Sequence, residues 1–166
     1  MTDQEKQVRE IMIDVFEFPH VPYWFTIRQV SGILKKSISG GKCLRPLAAL
    51  VFDEKYNLLG HIEAQDILNS INTAALSGDP ARQNIITAPA PEVMSALGEL
   101  SEKPVSSLLN QFKLFLDRDD SAAKAAEMML TNNMSILPVL ENQKKLVGIV
   151  RSTEIFEYLS SRFFLA

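Results

Sequence analysis

The chain repeats itself. Leu50–Ile62 lies over Pro138–Val150 without a gap at an offset of 88 residues, which sets Val51 on Val139, Leu58 on Leu146 and Gly60 on Gly148. The same offset sets Asp66 on Glu154 and Ile67 on Ile155. Upstream, Thr26-Ile27-Arg28 aligns with Ser121-Ala122-Ala123 at an offset of 95, so the first copy carries seven extra residues, which the polar stretch Ser37–Lys42 absorbs. A repeat of this length constrains the fold more than any single motif, because both copies must bury the same faces of one supersecondary unit. At 166 residues the chain has room for two such copies and a connection, and none for an attached catalytic domain.

Each copy reads as β-α-β-β-α. Thr26 opens the first helix of copy one, and Asp120 or Ser121 that of copy two; all are N-cap residue types. Ile27, Val30, Ile33 and Leu34 form an apolar face at helical spacing, as do Ala122, Ala125, Met128 and Met129. A short apolar strand follows (Leu47–Phe52 or Ile136–Leu140), then a polar turn and a second strand ending at Ile62 or Val150. The closing helices bury Ala64, Ile67, Leu68 and Ile71 in one copy and Ile155, Phe156 and Leu159 in the other. Leading strands fit Pro19–Phe25 and Phe112–Leu116, the second by alternation of Phe112, Leu114 and Leu116. Pro138 is read as the start of its strand, where a missing N–H is tolerated. Gln4–Ile13 has helical character through Val8, Ile11 and Met12. The expected division is 1–72 for the N-terminal helix and first copy, 73–103 for a linker, and 104–166 for the second copy. The linker holds a short helix over Glu92–Leu100 behind the breakers Ser77–Pro80 and Thr87–Pro91.

Composition excludes several functions. Net charge is −3 with 17 basic and 20 acidic residues, which argues against a nucleic-acid footprint. The longest apolar run, Leu47–Phe52, is far short of the roughly 20 residues that cross a bilayer. The polar start Met1–Lys6 lacks the pattern of a signal peptide, and the single Cys43 allows no intrachain disulfide, so the expected location is cytoplasmic. His20, His61 and Cys43 lack metal-ligand spacing. Ser39-Gly40-Gly41-Lys42 lacks the spacing of a phosphate loop. No acid pair or nucleophile–base set falls on one site, so the chain is not expected to be an enzyme.

Gly148-Ile149-Val150-Arg151-Ser152-Thr153-Glu154-Ile155, preceded by Leu137-Pro138-Val139, resembles the signature of a CBS domain, and Gly60–Ile67 resembles the same segment in the first copy. The resemblance covers residues 10–72 and 104–162. It implies an α/β (α+β) fold of two β-α-β-β-α repeats packed as a pseudo-symmetric pair, a Bateman module. It further implies a regulatory protein that binds an adenosine nucleotide or S-adenosylmethionine between the copies, without a tightly bound cofactor, and that forms a homodimer and acts on a protein partner as yet unknown.

The family's ligand motif runs Gly, two apolar residues, Ser or Thr, two variable residues, then Asp, with the hydroxyl and carboxylate on the ligand's ribose. Here Glu63 and Arg151 replace the hydroxyl residue, Asp66 matches the acid, and Glu154 is one methylene longer. Asp66 and Glu154 are either ribose contacts or plain first-turn acids that favour a helix N-terminus. Arg151 either offers donors to phosphate or pairs with Glu154 three residues on. Glu63 disfavours a polyphosphate beside it. Ile136, Leu137 and Pro138 either line the cleft or pack the core. Trp24 either stacks on an adenine or serves core or interface. The two functional readings are a ligand-sensing module and a ligand-independent interaction scaffold with degenerate sites.

Overall fold

In the computed structural model, which describes residues 5–40, 46–76 and 90–164, Thr26 and Ser121 each end an extended segment and start a helix. Helix α2 (Ile27–Ser39) is closed by a reciprocal pair. Thr26 Oγ1 accepts from the Gln29 N–H at 3.2 Å, and Gln29 Oε1 accepts from the Thr26 N–H at 2.9 Å. At α5 (Ala122–Thr131), Ser121 Oγ accepts from the Lys124 N–H at 3.1 Å. Asp120 is therefore not the cap. Its carboxylate takes the Asp117 N–H at 2.9 Å and the Lys124 ammonium at 2.7 Å. Burial alone would raise this carboxyl, but those hydrogen bonds outweigh it and hold the group below its ordinary value.

The chain forms two compact units. One is His20–Gln111, with β2 (His20–Pro22), α2, β3 (Ala48–Phe52), β4 (Leu58–Glu63), α3 (Ala64–Leu76) and α4 (Ala90–Ser101). Its strand order is β2-β3-β4, with Val21 parallel to Val51 and Ala49 antiparallel to Ile62. The other unit joins Met1–Pro19 to Phe112–Ala166. It holds α1 (Val8–Ile11), β1 (Ile13–Asp14), β5 (Leu116–Asp117), α5, β6 (Ile136–Glu141), β7 (Lys145–Arg151) and α6 (Ser152–Ser161), in the order β1-β7-β6-β5. The two share one plan down to the bulge, which falls at Val51/Phe52 and again at Val139/Leu140. Their cores correspond too. Val30, Leu34, Val51 and Ile62 in one unit match Ala125, Met129, Val139 and Val150 in the other.

Each copy is completed by a segment from outside it. In the first, the Ile27 N–H donates to the Lys103 carbonyl at 2.9 Å and the Val105 N–H to Phe25 at 2.7 Å. His61 and Asn110 then exchange two bonds of 2.9 Å. In the second, the Ala122 N–H donates to Lys6 at 2.7 Å and the Val8 N–H to Asp120 at 2.8 Å, and β1 pairs with β7 at Ile13–Ile149 and Asp14–Gly148. Residues 5–14, expected with the first copy, thus pack on the second, and residues 103–110 pack on the first. The cause is an open strand edge that needs a partner, together with a glycine that lets the partner approach. A methyl on Gly60 would stand 2.1 Å from the Asn110 carbonyl oxygen, and one on Gly148 2.7 Å from that of Ile13.

Other details depart from expectation. The helix expected over Gln4–Ile13 is one turn, Val8–Ile11, before the chain extends into β1. Strand β5 covers Leu116–Asp117 and leaves Phe112–Phe115 outside the sheet. The Arg118 N–H donates to Leu140, which sets the ladder, and its next upstream bond would need an N–H at Pro138. Pro138 is the third residue of β6, not its start. Leu68 and Phe156, equivalent positions expected in the core, are 57% and 70% exposed. The linker helix expected over Glu92–Leu100 is α4, with Pro91 in its first turn. Gly41, Lys42, Cys43 and the breakers at 77–80 and 87–89 lie outside the described residues.

Gly60→Ala and Gly148→Ala should each cost about 1–3 kcal/mol by overpacking, read from urea denaturation. Gly60→Ala should speed amide exchange at His61 and Asn110, and Gly148→Ala should leave those two amides unchanged. The depressed Asp120 pKa stabilises the protein above the unperturbed value of 3.8, and that contribution is lost as pH falls through the lower folded value. Asp120→Asn should flatten that part of the acid limb of stability against pH.

Candidate ligand sites

Strand β4 runs into α3 through Gly60-His61-Ile62-Glu63, and Asp66 stands in the first turn of α3. Asp66 Oδ2 accepts the Glu63 N–H at 2.7 Å and an Asn110 Nδ2–H at 2.7 Å. Both bonds fall on one oxygen. Oδ1 takes none among the described residues, so it remains able to accept hydroxyl groups at a helix N-terminus. Glu63 Oε1 lies 3.4 Å from His61 Nε2, and His61 is 8% exposed. Sequence reasoning singled out Asp66 and Glu63, which the fold brings together. It missed Asn110, which is 44 residues away in the chain and reaches Asp66 only through the bracing segment.

The equivalent position in the second copy is built differently. Arg151, 4% exposed, precedes α6. Glu154 Oε2 accepts the Arg151 N–H at 2.8 Å and its Nε–H at 3.0 Å, while Glu154 Oε1 accepts from Nη2. Of the two readings left open for Arg151, the geometry is that of the pair. The guanidinium fork is closed on Glu154, and both carboxylate oxygens are engaged. Of the guanidinium nitrogens, Nη1 is buried and has no hydrogen-bond partner among the described residues. Ile136 and Leu137 are 1% and 0% exposed and Pro138 is buried, with Leu137 in the core of its unit.

Trp24 is elsewhere. Glu63 pairs with Ala48 at one end of the β2-β3-β4 sheet, and Pro22 and Phe52 stand at the other, where Trp24 lines a hollow of about 300 Å³. The intervening β3 places it roughly 13 Å from the Asp66 end at 3.3 Å per residue. Trp24 packs edge-on against Tyr23, with centroids 5.3 Å apart, and the Tyr23 hydroxyl donates to Glu54 at 2.8 Å. That bond and the Glu54 charge raise the Tyr23 pKa, which keeps the donor in place. On the same rim Tyr56 has φ 60°, a left-handed conformation uncommon for a bulky side chain.

Among the described residues, no group of three or more His, Cys, Asp or Glu is placed to hold a metal ion, and no helix is long and apolar enough to cross a membrane.

Residues 97–161 match the CBS-domain family model. No curated protein matches the chain in sequence. Among solved structures, the CBS-domain-containing protein of Bacillus anthracis str. Ames Ancestor is 22% identical with a TM-score of 0.65, covering 95% of each chain. CBSX2, solved in complex with AMP, is 17% identical with a TM-score of 0.62, covering 95% of this chain and 98% of its own. The cytosolic domain of the Mg2+ channel MgtE, solved with ATP, is 18% identical with a TM-score of 0.56, covering 86% of this chain and 45% of its own.

Removing Arg151 alone leaves the Glu154 carboxylate, 12% exposed, without its charge partner. Arg151→Ala should therefore cost about 3–5 kcal/mol in chemical denaturation, whereas the paired change Arg151→Met with Glu154→Leu should lie within about 1 kcal/mol of the parent.

Proposed function

Because the second copy matches the CBS family and the whole fold is that of tandem CBS pairs, we propose that the chain is a regulatory module that binds an adenosine-type ligand and modulates a partner protein. The observation that carries this reading is the contrast between the two carboxylates. Asp66 keeps an oxygen for a ribose hydroxyl beside the α3 N-terminus, and Glu154 has given both of its own to Arg151. The first copy is therefore the one that senses. The complexes of CBSX2 with AMP and of MgtE with ATP support the choice of ligand class.

Glu63 narrows that class further. A second carboxylate beside the site disfavours a triphosphate by like-charge repulsion and is tolerant of AMP or of the sulfonium cation of S-adenosylmethionine. In this reading the chain is cytoplasmic, works as a homodimer, holds no tight cofactor and leaves catalysis to its partner. A scaffold that binds no ligand is the second reading. The replacement of the hydroxyl residue in both copies and the closed Arg151–Glu154 pair favour it.

Thermal denaturation and calorimetry with AMP, ADP, ATP and S-adenosylmethionine separate the two readings. AMP or S-adenosylmethionine at 100 times its dissociation constant should add about 2.7 kcal/mol of stability. Asp66→Asn should weaken binding about tenfold while Glu154→Gln leaves it within a factor of two. No stabilisation by any of the four at millimolar concentration would sink the sensing reading and leave the scaffold.

A further inference from the structure

We propose that the hollow at the turn end of the first copy's sheet, walled by His20, Trp24, Phe52 and Tyr56 and edged by Asp53 and Glu54, binds a small methylated ammonium cation. The site is separate from the Asp66 end, and the proposal stands whichever reading of that end holds.

The argument starts from the walls. Four rings line about 300 Å³, at the small end of the roughly 300–1,000 Å³ of ligand pockets. Ring faces carry negative potential and attract a cation, tryptophan most strongly. Three of the rings have ring partners before any ligand arrives. Phe52 meets His20 edge-on at 6.2 Å, and Trp24 is held by Tyr23, itself tied to Glu54. The rim supplies charge of the right sign. Asp53 is held below its ordinary pKa, chiefly by the Asn57 side chain and backbone, and stays ionised. Glu54 spends one oxygen on Tyr23 and keeps the other. Among the described residues, no Lys or Arg lines the hollow.

A metal ion or a primary ammonium would need several oxygen acceptors, and Asp53 already spends its oxygens on the Lys55 and Asn57 N–H groups and the Asn57 amide. A methylated ammonium has few or no N–H groups to satisfy. Its charge is spread over methyl groups that can lie against rings. The two remaining features of the hollow suit it: apolar walls and a carboxylate at the mouth.

The repeat supplies an internal comparison. The equivalent hollow of the second copy is lined by Phe115, Leu140, Lys113, Lys124 and Asp117, with Asp120 already paired to Lys124. Trp24 corresponds there to Asp119. Among the described residues, one copy of a single fold thus presents four rings and two carboxylates with no Lys or Arg, and the other presents one ring, two lysines and two aspartates. Tyr56 adds to the contrast. It holds its ring 83% exposed on a left-handed backbone, where the second copy's turn uses Asn142 and Gln143.

Trp24 is the protein's one tryptophan, so its emission reports on the hollow directly. The full chain is titrated with tetramethylammonium chloride and with choline chloride, against sodium chloride at equal ionic strength and against the neutral tert-butanol. A saturable change with both organic cations and none with the two controls is expected. Tyr56→Gly, which a left-handed position accommodates, and Glu54→Gln should each weaken the dissociation constant about fivefold to thirtyfold. An unsaturable response, an equal response to sodium chloride or tert-butanol, or undiminished binding by a folded Tyr56→Gly protein would overturn the proposal.

Discussion

Two backbone exchanges organise this protein. The pair between His61 and Asn110 and the pairing of Ile13–Asp14 with Gly148–Ile149 close the open edge of the last strand in each copy. A strand edge left bare presents unpaired N–H and C=O groups that invite pairing with another chain. Here the covering segment in each case comes from the stretch of chain that precedes the other copy. Glycine is required at both places because the incoming carbonyl occupies the volume where a Cβ would stand. Once the segments are seated, Val105 and Val8 enter the two cores at equivalent positions, each wholly buried.

The same exchange shapes the candidate ligand end. Asn110 both braces β4 and points its amide at Asp66, so the carboxylate's orientation depends on a backbone contact rather than on its own helix alone. The second copy has Ile13 where the first has Asn110, and so has no amide to offer. Its acid is longer and is held instead by the arginine beside it. Divergence between the copies is thus coupled. Changes at the brace and at the motif together leave one carboxylate oxygen available and engage both oxygens of its counterpart.

Much of the fold was legible because the repeat tests itself. A helix face of Ile27, Val30 and Leu34 is more convincing when Ala122, Ala125 and Met129 recur in the aligned positions, and all six are buried. The bracing was not legible, because Ile13 and Asn110 act through their backbones and share no side-chain type. The alternation of Phe112, Leu114 and Leu116 suggested a longer strand than Pro138 permits, since the missing N–H belongs to the neighbouring strand. Of the site, the spacing of Arg151 and Glu154 offered their contact as one of two readings, and the contact is made. The His61–Glu63 approach and the distance of Trp24 from Asp66 needed strand register, which fixes which end of the sheet a residue occupies.

The interlaced path also sets an order of assembly during synthesis. His20–Gln111 is continuous, so that unit has all its parts once Gln111 has left the ribosome. Met1–Pro19 is made before that unit and completed after it, because its partners in β7 lie more than 130 residues downstream. Such distant closure is slow relative to local pairing. Until those residues have been made, the apolar Val8, Ile11 and Met12 have no core to enter, and this segment depends on protection from other chains for longer than the unit that follows it.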